Sequence, residues 1–152
     1  MLDYAHTPES LENILKTAKE YTVGRVISVF GCGGDRDKNK RPVMGEISTK
    51  IAEYTIITSD NPRTENPEDI IEQIELGAKK NKREYECIVD RRAAIKKAIQ
   101  MANKKDIIIL AGKGHETYQE INGEKVPFDE RKIIQEIIKE IEKQPKKKKK
   151  KK

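Results

Sequence analysis

The chain has 152 residues, 38% of them charged and 35% hydrophobic, enough for one domain with its own core and with no apolar stretch long enough to cross a membrane. Its formal charge of +6 comes from seven consecutive lysines at 146–152; without them 25 basic residues face 26 acidic ones, a net of −1. The body is thus near neutral, which excludes the basic footprint of a nucleic-acid binder. In chain order, Thr7-Pro8-Glu9-Ser10 predicts a helix start, with Thr7 or a neighbour as cap and Pro8 in the first turn. Leu11, Ile14, Leu15 and Ala18 form its apolar face. Residues 25–30 read as a buried strand, 31–40 as a polar loop, 42–51 as a helix and 54–58 as the next strand. Asn66-Pro67-Glu68 opens a helix over 67–78 with Ile70, Ile71 and Ile74 inward. A short strand over 85–89 and a helix over 92–101 follow, the helix turning Ile95, Ala98 and Ile99 inward. Residues 106–111 form a strongly apolar strand. Two runs, 117–121 and 124–128, flank Asn122-Gly123, a two-residue hairpin signal. Asp129 caps a last helix bearing Ile133, Ile134, Ile137, Ile138 and Ile141.

Strands alternating with helices predict an α/β fold: a Rossmann-like, mainly parallel sheet with helices on both faces and right-handed crossovers. The hairpin is expected to add an antiparallel edge. One domain is expected over 1–144, followed by a disordered poly-lysine tail over 145–152, because a run of like charges repels itself. Asp3-Tyr4-Ala5-His6 is polar and motif-like at the very start, which suggests a domain excised from a longer chain. Cys32, Cys87, His6 and His115 have no metal-ligand spacing, so no metal site is expected. Cys87, beside Ile88 and Val89, reads as a reduced core residue. No signal peptide is visible, and a cytoplasmic protein is expected.

Three polar clusters follow predicted strands, where open α/β folds place ligand contacts. The first, Gly31-Cys32-Gly33-Gly34-Asp35-Arg36, departs from the dinucleotide pattern because Arg36 stands where that pattern needs glycine. It reads as a loop that lets backbone approach a ligand, with Arg36 as anion contact, or as a structural turn. The second, Asp60-Asn61-Pro62-Arg63, offers an acid, an amide and a guanidinium beside a rigid proline, and these are also common turn residues. The third is Gly112-Lys113-Gly114-His115-Glu116. It is too short for a phosphate-gripping P-loop, and no such motif occurs anywhere in the chain. Here Glu116 with a cationic partner is preferred to Glu116 as a general base. Lys113 alone reads as a surface lysine, and His115 equally as a packed histidine. Taken alone, these clusters leave a stand-alone amino-acid- or nucleotide-binding module without catalysis, and a nicotinamide oxidoreductase, the latter disfavoured by Arg36.

Together with Asp3-Tyr4-Ala5-His6-Thr7-Pro8, Lys40-Arg41-Pro42-x-Met44-Gly45, Tyr118-Gln119 and Phe128-Asp129, these clusters resemble the C-terminal domain of the Mur ligases in the family's own order. The likeness runs over about residues 3–142. It is nearest the MurE type, which adds the third amino acid to UDP-N-acetylmuramoyl-L-alanyl-D-glutamate. The resemblance implies ATP-dependent amide ligation in peptidoglycan synthesis, with meso-diaminopimelate as the incoming amino acid because Asp-Asn-Pro-Arg is present. It implies that Arg36, Asn61, Arg63, Gly112 and Glu116 hold diaminopimelate, with Asp60 and Pro62 completing the motif, and that Asp3 and His6 lie on the ATP side. Mg2+ and the catalytic residues belong in this family to a central domain, and the UDP-MurNAc-dipeptide to the other two domains. The isolated chain is therefore expected to be inactive, monomeric, and without nucleic-acid or membrane partners.

Overall fold

In the computed structural model, which describes residues 2–3, 6–113 and 116–143, the helix starts follow their caps. Thr7 Oγ1 accepts from Ser10 N at 3.1 Å and opens α1 (Pro8–Tyr21). Asn66 caps α3 (Pro67–Ala78), Asp90 caps α4 (Arg91–Met101) and Asp129 caps α5 (Glu130–Glu142), each through its side chain. In each case an orphan backbone N–H at the helix start gains an oxygen partner. The fifth helix, α2 (Lys40–Ile51), has no side-chain cap.

Five parallel strands form the sheet: β1 (Leu2–Asp3), β2 (Val26–Phe30), β3 (Tyr54–Ile57), β4 (Glu84–Cys87) and β5 (Ile107–Ala111), in the order β1-β5-β2-β3-β4. Strand alternation divides the core in two. Val26 and Phe30 turn toward Leu11, Leu15, Met44, Ile70 and Ile74 of α1, α2 and α3. Ile27 and Val29 turn toward Ala94, Ile95 and Ala98 of α4 and Ile137 of α5. Both faces are covered, as a parallel sheet requires.

Three features differ from the sequence reading. β1 was not expected, since its two residues carry no period. Cys87 is exposed rather than a core residue; β4 is the outer strand, and its two end residues, Glu84 and Cys87, are left open to solvent. The Asn122-Gly123 hairpin, β6 (Tyr118–Ile121) and β7 (Glu124–Pro127), is antiparallel as expected and turns through two positive-φ residues, but it stands as its own two-stranded sheet. Residues 144–152, including the lysine run, lie outside the described residues.

The strand order sets the position of the site. From β2 the chain steps outward to β3 and β4, then returns through α4 to β5 on the other side of β2. The loops after β2 and β5 therefore diverge at a topological switch point, the crevice where doubly wound sheets bind ligands.

Candidate functional site

All three polar clusters meet at this switch point. A cleft of about 420 Å³ is lined by Arg36, Asp60, Asn61, Arg63, Gly112 and Glu116, with His6, Thr7 and Lys40 contributed by the starts of α1 and α2. Gly33 and Asp37 complete it. Cations and carboxylates thus share one concave surface. Pro62 does not line the cleft and faces a separate hollow with Ser59, Val89 and Arg91. Asp3 ends β1 beside Ala111; its side chain, like Gly114 and His115, lies outside the described residues.

The loop after β3 is bound on two sides, by the loop after β2 and by the hairpin. Gly34 N donates to Asn61 O at 2.7 Å. A Cβ at Gly34 would stand 1.8 Å from Pro62 O, so only glycine lets the two loops touch. The backbone approached by this glycine is the protein's own, which favours the structural reading at that position. From the other side the hairpin clips on: Arg63 N donates to Glu120 O at 2.9 Å and Asn122 N to Arg63 O at 2.8 Å. Gln119 Nε2 donates to Asp60 O at 2.7 Å. These bonds hold Arg63 at φ 52°, a left-handed conformation that costs a non-glycine residue about 1–2 kcal/mol. Its Nη1 donates to Gly34 O at 3.0 Å, and its Nη2 reaches Glu120 Oε1 at 3.3 Å. Arg36 is exposed, and its Nη1 bonds Asp35 O at 3.1 Å. Gly112 takes φ 113°, open only to glycine, where the chain leaves β5.

Three buried cations brace these loops, and sequence reasoning missed the role of each. Arg41 makes a forked contact to Glu65, at 2.8 and 3.1 Å, and donates to Gly33 O at 2.9 Å and Gln73 Oε1 at 2.9 Å. The bound Arg41 guanidinium, acting against the effect of burial and helped by a bond from Asp35 N, holds the Glu65 carboxyl down to about 2. Arg91 pairs with Glu130 at 2.5 Å and donates to Ser59 O at 3.0 Å and Ala111 O at 3.1 Å, tying the ends of β3 and β5 together from the opposite face. Lys113 is fully buried, which overturns its reading as a surface lysine. Its Nζ donates to Asn61 Oδ1 at 3.0 Å and Tyr118 O at 2.9 Å, and pairs with Asp60 Oδ1 at 2.9 Å. Glu116 does have the expected cationic neighbour: its Oε1 lies 3.8 Å from Lys113 Nζ. Arg41 and Lys113 lie inside motifs visible in the sequence, but a cation's burial has no local signature.

The arrangement fits a ligand bearing charges of both signs, with guanidiniums for carboxylates and Glu116 for an ammonium. Among the described residues no group of three or more His, Cys, Asp or Glu is placed to hold a metal ion. No helix of the described residues is long and apolar enough to cross a membrane.

Residues 1–114 match the family model described as "Mur ligase, glutamate ligase domain". The chain is 59% identical over 141 residues to the UDP-N-acetylmuramoyl-L-alanyl-D-glutamate--2,6-diaminopimelate ligase of Caldanaerobacter subterraneus subsp. tengcongensis, covering 93% of this chain and 29% of that protein. It is 57% identical, with the same coverage, to ligase 1 of that description from Clostridium acetobutylicum. The solved structure of a UDP-N-acetylmuramoyl-L-alanyl-D-glutamate--2,6-diaminopimelate ligase superposes with a TM-score of 0.89 at 44% identity, over 94% of this chain and 29% of that one. The chain therefore spans under a third of the length of the curated relatives it matches. By the family model and by these relatives alike, the chain belongs to the Mur ligase family.

Proposed function

We propose that this chain is the amino-acid-recognising and ATP-closing part of a cytoplasmic ligase that adds meso-diaminopimelate to UDP-MurNAc-L-Ala-D-Glu in peptidoglycan synthesis. The observation that carries this reading is the convergence of Arg36, Asn61, Arg63 and Glu116 on one cleft at the switch point. That two relatives are 2,6-diaminopimelate ligases acting on UDP-N-acetylmuramoyl-L-alanyl-D-glutamate supports the same substrates.

The far end of meso-diaminopimelate carries an ammonium and a carboxylate, whereas lysine carries only the ammonium. In this proposal Arg63 and Arg36 hold the extra carboxylate, Asn61 supports it, and Glu116 meets the ammonium. Arg63 would exchange its contact with Glu120, at 3.3 Å, for the ligand. With lysine bound, that guanidinium would face no ligand anion, and a site built for a polar group rejects the analogue lacking it. ATP, when bound with Mg2+, would supply the phosphoryl group that activates the acceptor carboxylate; His6, which lines the cleft, is assigned to the ATP side, as the family resemblance also assigns Asp3. No phosphate-cradling motif occurs in this chain, so the chain alone should neither hydrolyse ATP nor form the tripeptide. An ATPase rate that tracks the purified chain and vanishes on mutation of Lys113 would contradict this.

The test of the assignment is Arg63→Ala in the ligase that carries this chain. Loss of a hydrogen bond to a charged group corresponds to about 1.5–3 kcal/mol, so the apparent diaminopimelate constant should rise about ten- to a hundredfold. Arg63→Lys should not rescue it, because an ammonium lacks the planar fork. Full preference for diaminopimelate over lysine in Arg63→Ala would remove Arg63 as the selector.

A further inference from the structure

Asn61 is the only amide side chain lining the cleft among the described residues, and it is 5% exposed. Its oxygen is used twice from within the protein. Oδ1 accepts from Lys113 Nζ at 3.0 Å and from Glu120 N at 3.0 Å. An ammonium and a backbone N–H can only donate, so both lone pairs of Oδ1 are committed and the amide cannot be turned over. The nitrogen is left on the side of Glu116, whose Oε1 lies 3.5 Å from Asn61 Nδ2. Lys113 itself is fully buried and does not line the cleft; it acts on the cleft only through Asn61, Asp60 and Glu116.

We infer that Lys113 is the positioning residue of the amino-acid site: its buried ammonium locks the Asn61 amide with the NH2 group toward the cleft, so that Asn61 reads an acceptor, a carboxylate, on the ligand. The inference rests on the amino-acid-recognition reading above. It adds a selector to Arg63: a ligand presenting an ammonium at that point meets a second donor and is refused. Asp60 pairs with the Lys113 ammonium at 2.9 Å, so the lock adds no net charge to the cleft.

The experiment uses the ligase that carries this chain, with meso-diaminopimelate and lysine as competing amines. Lys113→Met alone strands the Asp60 carboxylate, so it is combined with Asp60→Asn, and Asp60→Asn alone is the control. The double variant should raise the KM for diaminopimelate about ten- to a hundredfold beyond the control, the effect of one hydrogen bond to a charged group. The KM for ATP should not move, and the preference over lysine should fall. If the control already accounts for the whole change, Lys113 positions nothing. Should the double variant fail to fold, Asn61→Asp decides. It keeps an oxygen toward Lys113 and replaces the cleft-facing NH2 by an oxygen. The diaminopimelate KM should then rise steeply while that for lysine changes little. An unmoved diaminopimelate KM would mean that an oxygen already faced the cleft, and would overturn the inference. A wild-type ligase that does not use diaminopimelate at all would instead overturn the function reading beneath it.

Discussion

The two ends of the parallel sheet use the same ion-pair chemistry in opposite ways. At the amino end, residues just before the strands pair in contact with water. Arg25 bonds Asp106 at 2.8 Å with its side chain 38% exposed, and Arg83 bonds Glu53 at 2.9 Å at 43%. Glu53 also pairs with Lys19 and accepts from Val26 N at 2.7 Å. These contacts tie strand starts together and leave the cations hydrated. At the carboxyl end the cations Arg41, Arg91 and Lys113 have 0% side-chain exposure. Each joins two or more separate segments of the chain at once. Desolvating a charge is expensive, so an interior cation persists where several oxygens must be held in one place. Among the cleft-lining groups, Gly33 is held by Arg41, and Asp60, Asn61 and Glu116 meet Lys113; a site proposed to discriminate charges needs such groups immobile.

The sharpest way to break this comparison is to remove one cation at each end. Arg91→Met leaves Glu130, 1% exposed, as an unpaired buried carboxylate. It should destabilise the chain by about 3–5 kcal/mol, read as a fall in the urea midpoint. Adding Glu130→Leu should restore much of the loss, because the orphaned charge is then gone. If Arg91→Met alone costs under about 1 kcal/mol, the carboxyl end is no different from an ordinary surface.

Acid sharpens the comparison at the Arg41–Glu65 brace. The Glu65 carboxyl is lowered from 4.5 to about 2, chiefly by the bound Arg41 guanidinium. A depressed carboxylate stabilises the fold fully above its unfolded value and loses that contribution as pH falls through its folded value. The thermal midpoint of wild type should thus exceed that of Glu65→Gln above pH 4.5, and the gap should close as pH falls toward about 2. A gap that stays constant over that range would show that the ionised carboxylate is not what braces the loop. The smallest effect is expected at the amino end. Arg83→Ala removes a half-exposed pair and should cost about 0.2–1 kcal/mol, shrinking further in high salt. A larger, salt-independent loss there would erase the distinction between the ends.

Much of this was legible before any coordinates. Thr7, Asn66 and Asp129 mark helix starts because an N-cap is local chemistry between a side chain and the backbone two or three residues on; the Asp90 cap of α4 was not read from the sequence. Continuous apolar runs located β2, β3 and β5, and Asn122-Gly123 located the hairpin turn. The proposed site residues Arg36, Asp60, Asn61, Arg63, Gly112 and Glu116 were picked out by their place after apolar strands and by the family resemblance; the cleft brings these six together, whereas Pro62 faces a separate hollow.

What the sequence by itself determined, then, is the order and type of the elements other than β1, the caps of α1, α3 and α5, and the polar residues delivered to the strand ends, since each depends on neighbours a few residues away. Only the tertiary structure decided the rest. Strand order β1-β5-β2-β3-β4 creates the switch point, and no local pattern encodes which strands become neighbours. Cys87 is exposed because β4 fell at an edge. Lys113 is interior because the loop after β3, the loop after β5 and the hairpin close around it, with oxygens from Asp60, Asn61 and Tyr118. A lysine's burial depends on oxygens supplied from distant parts of the chain, and those become its neighbours only when the chain has folded.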